Sequence, residues 1–123
     1  MATRELYHGT KGDTILQIIR EHSMRPNQAG KIFFSEHRYE SVFMHGPDIK
    51  RKATFAIKVE VEVPANATFQ RGATAGVADT LIFSTADPIA VKVLELYIRQ
   101  PRGESVQIVK GAAAIHSFLT KGH

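Results

Sequence analysis

The stretch Thr54–Val63, TFAIKVEVEV, decides the fold class of this chain. Its apolar residues alternate with Ala56, Lys58 and two glutamates, and an alternation of period two is typical of a β-strand. Such a strand packs one face on a core and turns the other face to water. Pro64 ends it, because proline has no N–H to donate to a sheet ladder. The stretch therefore predicts a long half-buried strand with a wet polar face.

The flanking sequence predicts further short strands and a few helices. Apolar runs predict strands at Glu5–His8, Ile32–Phe34, Asp79–Ser84, Val91–Ile98 and Ser105–Val109. Helices are predicted from an N-cap at Asp13 to a stop at Pro26, over Glu36–Met44 and over Ala112–Leu119. Gln70–Ala78 has small residues and two glycines, which predicts a mobile loop. Because strands and helices do not alternate regularly, the predicted class is α+β with two or three short helices.

Size and composition indicate one domain over residues 1–123. With 123 residues and 43% hydrophobic content, the chain can build a single core without staples. It has no cysteine, which excludes a disulfide framework and a thiolate zinc site. Met1–Glu5 lacks the apolar segment of a signal peptide, and no run approaches the roughly 18 apolar residues of a membrane span. We expect a soluble protein acting in a cytoplasm, its own or that of a cell into which it is delivered as an effector.

The chain is basic, with a formal net charge of +4 and a pI near 9.6. This charge favours an anionic partner such as a nucleotide or a nucleic acid. A solvated basic surface explains it equally well. Lys50–Lys52 is the basic cluster of the sequence, and a solvated turn accounts for it. Aromatic and basic residues do not interleave along the predicted strands as they do on single-strand nucleic-acid platforms.

The segment Leu6–Thr10, LYHGT, has the character of a ligand site. A short strand pattern stops at His8, and Gly9 lets the backbone approach a ligand closely. The strand Lys31–Ser35, KIFFS, follows about one helix later, and Asp79 opens a further strand.

The order of these segments resembles the ADP-ribosyltransferase superfamily of the diphtheria-toxin and poly(ADP-ribose) polymerase type. That superfamily has a His-Gly-Thr strand end, a Gly-Ile-Tyr-Phe-like strand and an acidic residue opening a later strand. The resemblance covers Leu6–Ile98, and its specificity lies in the order and spacing of short motifs. It implies an ADP-ribosyltransferase-like split β-sheet sandwich and an NAD-dependent mono-ADP-ribosyltransferase. His8, Phe33 and Asp79 are most similar to the His-Tyr-Asp pattern of the bacterial toxin-type branch.

The resemblance also implies roles for individual residues around NAD, the substrate. His8 would hydrogen-bond a ribose hydroxyl, and the backbone of Gly9, next to Thr10, would contact the nicotinamide amide. Phe33 would stack on the nicotinamide ring, and Asp79 would be the catalytic carboxylate. Two further residues would complete the cofactor site, Ser41 at the carboxamide and Tyr39 as a second aromatic wall. The pyrophosphate would meet one of three basic residues: Lys11, Arg25 or Arg38.

Two positions depart from the pattern of the polymerases. Phe33 keeps the stacking face of a tyrosine and lacks its hydroxyl. Asp79 is one methylene shorter than glutamate, so its reach differs by about 1.5 Å. The chemistry needs a carboxylate near the ribose, because cleavage of the nicotinamide bond builds positive charge on the sugar. The leaving group is already a cationic pyridinium and needs no general acid.

Several alternatives remain open from the sequence. ADP-ribose would go to a protein or a nucleic acid in a toxin or toxin–antitoxin system with an antitoxin or immunity partner. With water as acceptor, the protein would be an NAD glycohydrolase. A non-catalytic nucleotide-binding or nucleic-acid-binding module of the same fold is the third reading. His8 could be an ordinary strand-end histidine, and Asp79 could simply begin a strand.

Other polar residues have a structural explanation from the sequence. Some toxins of this superfamily use a Glu-x-Glu pair, but Glu60 and Glu62 share a polar strand face with Lys58, so a solvated face is preferred. No acidic or sulfur cluster accompanies the histidines, so no metal site is predicted.

Overall fold

The computed structural model describes residues 3–37, 39, 54–65, 67–74, 77–99 and 106–121. Two α-helices and eight β-strands lie in these ranges, so the α+β class is confirmed. In chain order they are β1 (Thr3–Thr10), α1 (Gly12–Glu21), β2 (Ser23–Met24), β3 (Lys31–Ser35), β4 (Thr54–Glu62), β5 (Thr68–Thr74), β6 (Val77–Ser84), β7 (Ile89–Arg99), β8 (Val106–Lys110) and α2 (Ala112–Thr120). Neither described helix is long and apolar enough to cross a membrane.

The strands form one sheet in the order β2-β7-β4-β1-β3-β6-β5, and every pairing is antiparallel. β7 shares its outer edge between two strands, with β2 opposite Ile89–Ala90 and β8 opposite Glu95–Arg99. Its register with β4 shifts by one residue at Leu94, whose carbonyl accepts a hydrogen bond from the Gly111 N–H at 2.9 Å. A bulge of this kind bends a strand and increases its twist.

One face of the sheet carries the hydrophobic core. The apolar residues of β4 lie on this face, as their alternation predicts, and Ile57, Val59 and Val61 have no exposed surface. Ile15 and Ile18 of α1 and Ile115 of α2 belong to the same buried cluster as the apolar residues of β4 and β7. The helices therefore cover the sheet on this side.

The opposite face of β4 is not wet along its whole length. Ala56 has no exposed surface, because it lies in a second cluster with Tyr97 and the partly buried Tyr7 and Tyr39. We call these three side chains the tyrosine cluster. The prediction of a fully wet face is therefore wrong at Ala56, since aromatic side chains from β1, β7 and residue 39 cover it.

Both predicted ends of α1 are wrong. The N-cap residue is Lys11, with no side-chain cap, and Asp13 lies in the first turn instead. The helix ends at Glu21 and not at Pro26, because His22 adopts the left-handed conformation with φ 55°. The His22 N–H donates to the Ile18 carbonyl at 2.8 Å, which closes the last turn. Histidine is among the non-glycine residues enriched in this region.

The predicted mobile loop at Gln70–Ala78 is also wrong. Residues 68–74 form the edge strand β5, which pairs with β6 over most of its length. Ladder hydrogen bonds to a well-packed neighbour compensate here for residues of low strand propensity. The other predicted strands and the C-terminal helix are confirmed within a few residues. The predicted helix Glu36–Met44 lies almost wholly outside the described residues.

The contact between β1 and β3 is short. Their register consists of one residue pair, Tyr7 with Ser35. β1 pairs with β4 along all eight of its residues, and β3 pairs with β6 along all five of its own. The two halves of the sheet, β2-β7-β4-β1 and β3-β6-β5, therefore meet at a narrow seam, which we call the β1–β3 junction.

Candidate functional site

His8 lies at the β1–β3 junction, one residue past the Tyr7–Ser35 pair. Its Nδ1 is 2.7 Å from the carbonyl oxygen of Phe33 on β3. The side chain thus bridges the two strands where their backbone ladder is interrupted. His8 as a whole residue is half-buried.

This hydrogen bond determines what the other ring nitrogen can do. A carbonyl oxygen only accepts hydrogen bonds, so Nδ1 carries the proton. Burial lowers the pKa of His8, and the bond to the Phe33 carbonyl opposes that shift only in part. The imidazole is therefore neutral at neutral pH, and its Nε2 is a hydrogen-bond acceptor. A neutral Nε2 acceptor suits a hydroxyl group of a ligand.

Aromatic side chains support His8 from the core side. Its ring centroid is 5.7 Å from that of Phe34, a tilted contact. Phe34 in turn meets Phe83 edge to face, with centroids 5.2 Å apart. Both phenylalanines are almost fully buried. The imidazole is thus held by a carbonyl on β3 and by packed rings behind it.

Phe33 is one of the exposed large apolar side chains, with 39% of its surface accessible. Because neighbouring residues on a strand point to opposite faces, Phe33 is outside the core that contains Phe34. Gly9 and Thr10 continue β1 beyond His8, opposite Ala56 and Phe55 of β4. The junction therefore has an uncharged acceptor on the core side, a backbone without a side chain at Gly9, and an exposed aromatic ring on the opposite face of β3.

Asp79 lies in β6, the strand next to β3. Its neighbour Thr80 pairs with Ser35, whereas Phe33 pairs with Ile82. Asp79 is thus three positions along the strand from the level of Phe33, or roughly 10 Å. The role of Asp79 stays a prediction, as do those of Ser41 and Arg38, which lie outside the described residues.

Tyr39 lies away from His8, on the face of the sheet opposite the core. Its ring stacks on that of Tyr97 with centroids 4.2 Å apart and an interplanar angle of 4°. Tyr7 packs beside both rings, at 6.3 Å from Tyr39 and 5.9 Å from Tyr97. A role for Tyr39 as a wall of a nicotinamide site stays a prediction.

The tyrosine cluster continues into a polar network. The Tyr97 hydroxyl donates to Glu95, and burial raises the pKa of Tyr97 with that bond adding to the effect. Lys58 lies beside Tyr7 and pairs with Glu5 at 3.1 Å, and this hydrogen bond raises the pKa of Lys58. The tyrosine hydroxyl and the lysine therefore both keep their protons at neutral pH.

The described basic candidates for a pyrophosphate differ in their partners. Arg25 follows β2 and pairs at 2.9 Å with Glu21, the last residue of α1. Lys11 is exposed and lies between the end of β1 at Thr10 and the first turn of α1. Lys11 is thus the nearer of the two to the β1–β3 junction in the chain.

A group of charged side chains that the sequence analysis did not single out lies at the other end of the junction. Glu36, just after β3, accepts a hydrogen bond from Arg4 of β1 at 2.9 Å. Its second oxygen accepts from Arg71 of β5. The Arg4 guanidinium also lies over the ring of Phe69, 5.6 Å from its centroid. Arg4 and Arg71 are 32 and 35 residues from Glu36 in the sequence, so no local pattern could indicate this group.

A cavity of about 450 Å³ lies elsewhere, between α1, β4 and β7. Its lining includes Ile18, His22, Glu60, Glu62 and Lys92. Glu62 is exposed and Glu60 half-buried, which fits a largely solvated role for the Glu-x-Glu pair. None of the described residues predicted for NAD lines this cavity.

Within the described ranges, no three His, Cys, Asp or Glu side chains come together in a group that could hold a metal ion. No protein-family model, curated protein or solved structure matches the chain. Function is therefore argued from the junction itself.

Proposed function

We propose that the protein is an NAD-dependent mono-ADP-ribosyltransferase of toxin or toxin–antitoxin type. One observation carries the proposal: at the β1–β3 junction, His8 is neutral, with Nδ1 bound to the Phe33 carbonyl and Nε2 left to accept. A sugar hydroxyl is the matching donor. Phe33 itself carries this fixed carbonyl, and on the other face of β3 it exposes an aromatic ring of the kind that stacks on a nicotinamide.

The sheet arrangement supports an ADP-ribosyltransferase-like split sandwich. The two halves of the sheet meet at a single residue pair, and β1 and β3 lie on either side of this junction. Gly9 lies beside His8, where an absent side chain lets a ligand amide approach the backbone. NAD would lie across this seam with its nicotinamide ribose at His8.

In this mechanism, the protein weakens the bond between nicotinamide and C1′ of its ribose. Positive charge develops on the sugar as the bond breaks, and nicotinamide leaves as a neutral molecule with the bonding electron pair. The carboxylate of Asp79 would stabilise that charge. His8 fixes the ribose orientation through Nε2, and Phe33 holds the departing ring. An acceptor nucleophile then forms the new bond at C1′.

The experiment is an NAD incubation that measures nicotinamide release. We expect release by the wild type and its loss in Asp79→Ala. Asp87→Ala is the matched control, because Asp87 lies in an exposed turn between β6 and β7. Equal release by wild type and Asp79→Ala would contradict the assignment of Asp79 as the catalytic carboxylate.

The fate of ADP-ribose separates the related activities. Attachment to a protein or nucleic acid supports the transferase, and free ADP-ribose alone would show an NAD glycohydrolase. NAD binding by calorimetry without release would show a non-catalytic module, which the missing hydroxyl of Phe33 favours. A wild-type protein that neither binds nor cleaves NAD overturns the proposal.

A further inference from the structure

Glu36 is the centre of a charged cluster that connects the two halves of the sheet. We call Arg4, Glu36, Phe69 and Arg71 the Glu36 cluster. The Glu36 side chain is only 8% exposed, and each of its carboxylate oxygens accepts from a different arginine. Arg4 belongs to β1, whereas Arg71 and Phe69 belong to β5 at the far edge of the other half.

The cluster spans strands that do not pair with each other. β3 and β6 separate β1 from β5 in the sheet order. Arg4 nevertheless reaches β5 in two ways, through the shared carboxylate of Glu36 and through the ring of Phe69. These side chains hold the halves together on the core side, where backbone hydrogen bonding between β1 and β3 is limited to one residue pair.

A continuous series of contacts joins this cluster to His8. Phe69 is 5.9 Å from Phe83, Phe83 is 5.2 Å from Phe34, and Phe34 is 5.7 Å from His8, all between ring centroids. His8 and Arg4 are four residues apart on β1, so the contacts form a closed ring around the Tyr7–Ser35 pair. Packed side chains of this kind transmit a displacement because the interior has little free volume.

Burial makes Glu36 sensitive to the loss of either partner. A buried carboxylate is stable when both oxygens accept charge-assisted hydrogen bonds, and it becomes costly when a partner is removed. Replacing its charge leaves two arginine side chains facing an amide, whose NH₂ group cannot accept from either. Without these hydrogen bonds, the β1–β3 junction should widen at this end.

We propose that Glu36 is a positioning residue that sets the width of the β1–β3 junction and thereby holds His8 against the Phe33 carbonyl. It does not touch the ligand in this scheme. It acts through Arg4 and the aromatic contacts, and its effect is on the environment of the His8 imidazole.

The test is NMR of the His8 imidazole in wild type and Glu36→Gln. A wider junction exposes His8, so its pKa rises toward the ordinary value of a histidine, because burial is the main cause that lowers it. The Nδ1 proton should exchange with water about tenfold faster, as expected when a hydrogen bond of this class weakens. An unchanged pKa and exchange rate in a folded Glu36→Gln protein would overturn the proposal.

Two further variants control for folding and for charge. Glu21→Gln also removes a glutamate paired with an arginine at 2.9 Å, but on α1, and should leave His8 unchanged. Arg71 is 65% exposed, so Arg71→Gln should fold and shift His8 in the same direction by less. If Glu36→Gln does not fold, Arg71→Gln decides: no shift there overturns the proposal. Exchange of the Val59 and Leu96 amides reports global stability, and an increase at His8 larger than the increase at these two amides separates a wider junction from a general loss of stability.

The imidazole measurements do not depend on NAD. The proposed function adds a second readout, and only this one rests on it: Glu36→Gln should raise KM for NAD more than it lowers kcat. If His8 shifts in Glu36→Gln but the protein neither binds nor cleaves NAD, the positioning role stands and the transferase is rejected. If the protein cleaves NAD but His8 does not change in Glu36→Gln, the transferase stands and the positioning role is rejected.

Discussion

Phe33 and Phe34 are adjacent in β3 and should respond in opposite ways to the same substitution. Phe34 is 2% exposed and contacts both Phe83 and His8, whereas Phe33 is 39% exposed. Phenylalanine to leucine keeps an apolar side chain of similar size, so each variant should fold. The pair separates the contribution of this strand to stability from its contribution to ligand binding.

The magnitude for Phe34→Leu follows from its contacts. A swap of apolar side chains in a core costs up to about 1.5 kcal/mol. Each aromatic pair adds about 0.5–1.5 kcal/mol beyond area burial, and Phe34 loses its edge-to-face contact with Phe83. We expect a loss of about 2 kcal/mol in the free energy of unfolding, or roughly 8 °C in Tm for a domain of this size.

Phe33→Leu should change stability by less than about 0.5 kcal/mol, the usual range for surface substitutions. On the proposed function it removes the ring that stacks on nicotinamide, so NAD affinity should fall about tenfold. Urea unfolding measures the stability of both variants, and calorimetry with NAD measures affinity. Equal destabilisation by the two variants would refute the two-faced description of β3. Unchanged NAD affinity in Phe33→Leu would refute the stacking role.

Three further perturbations test other parts of the structure. Burial lowers the pKa of His8, so as the pH falls the unfolded chain gains a proton at this residue before the folded protein does. The free energy of unfolding should therefore decrease as the pH drops below the pKa of His8 in the unfolded chain. In His8→Asn, urea unfolding between pH 7 and 5 should lack this part of the pH dependence. Ala56→Leu should lower the free energy of unfolding by about 1–3 kcal/mol, because it overpacks the space beneath the tyrosine cluster. Ala90→Leu, on the exposed surface of β7, should not. Equal unfolding curves for the two variants would contradict the burial of Ala56. Gly30→Ala should cost about 1–2 kcal/mol, because Gly30 has φ 74° and a Cβ there would lie 3.4 Å from the Thr85 carbonyl; unchanged thermal unfolding would argue against that turn.

Strands with strict alternation could be predicted from the sequence, because each successive pair of residues has one apolar side chain for the core and one polar side chain for the opposite face. β4 is the clearest case, and β7 follows the same rule only from Ile89 to Val93, before its bulge at Leu94. The alternation does not say what lies on the polar side. Ala56 is buried because Tyr39 and Tyr97 stack above it, and they come from distant parts of the chain.

Local signals failed where a neighbour or an unusual conformation decides the structure. β5 contains Gly72 and small residues, yet its ladder with β6 makes it a strand. α1 stops at His22 because of one left-handed residue, well before Pro26 could have acted. Propensity describes isolated segments, and these outcomes depend on tertiary partners.

The candidate site was predictable only in part. The histidine of LYHGT suggested a ligand contact, but its tautomer follows from a carbonyl 25 residues away on β3. The Glu36 cluster had no signal, since Arg4, Glu36 and Arg71 are far apart in the sequence and are all ordinary surface residue types. Distance in sequence hides such groups until the strands are paired.

The position of β1 has a consequence for how the protein forms. This first strand lies inside the sheet, between β4 and β3, and Thr3 pairs with Glu62. During synthesis the two edges of β1 stay unpaired until β3 and β4 have been made. Such non-local pairing slows folding and leaves strand edges open to other chains. In a chain interrupted before β4, β1 would keep only its single pair with β3 at the junction that holds His8, without the strand that pairs with all eight of its residues.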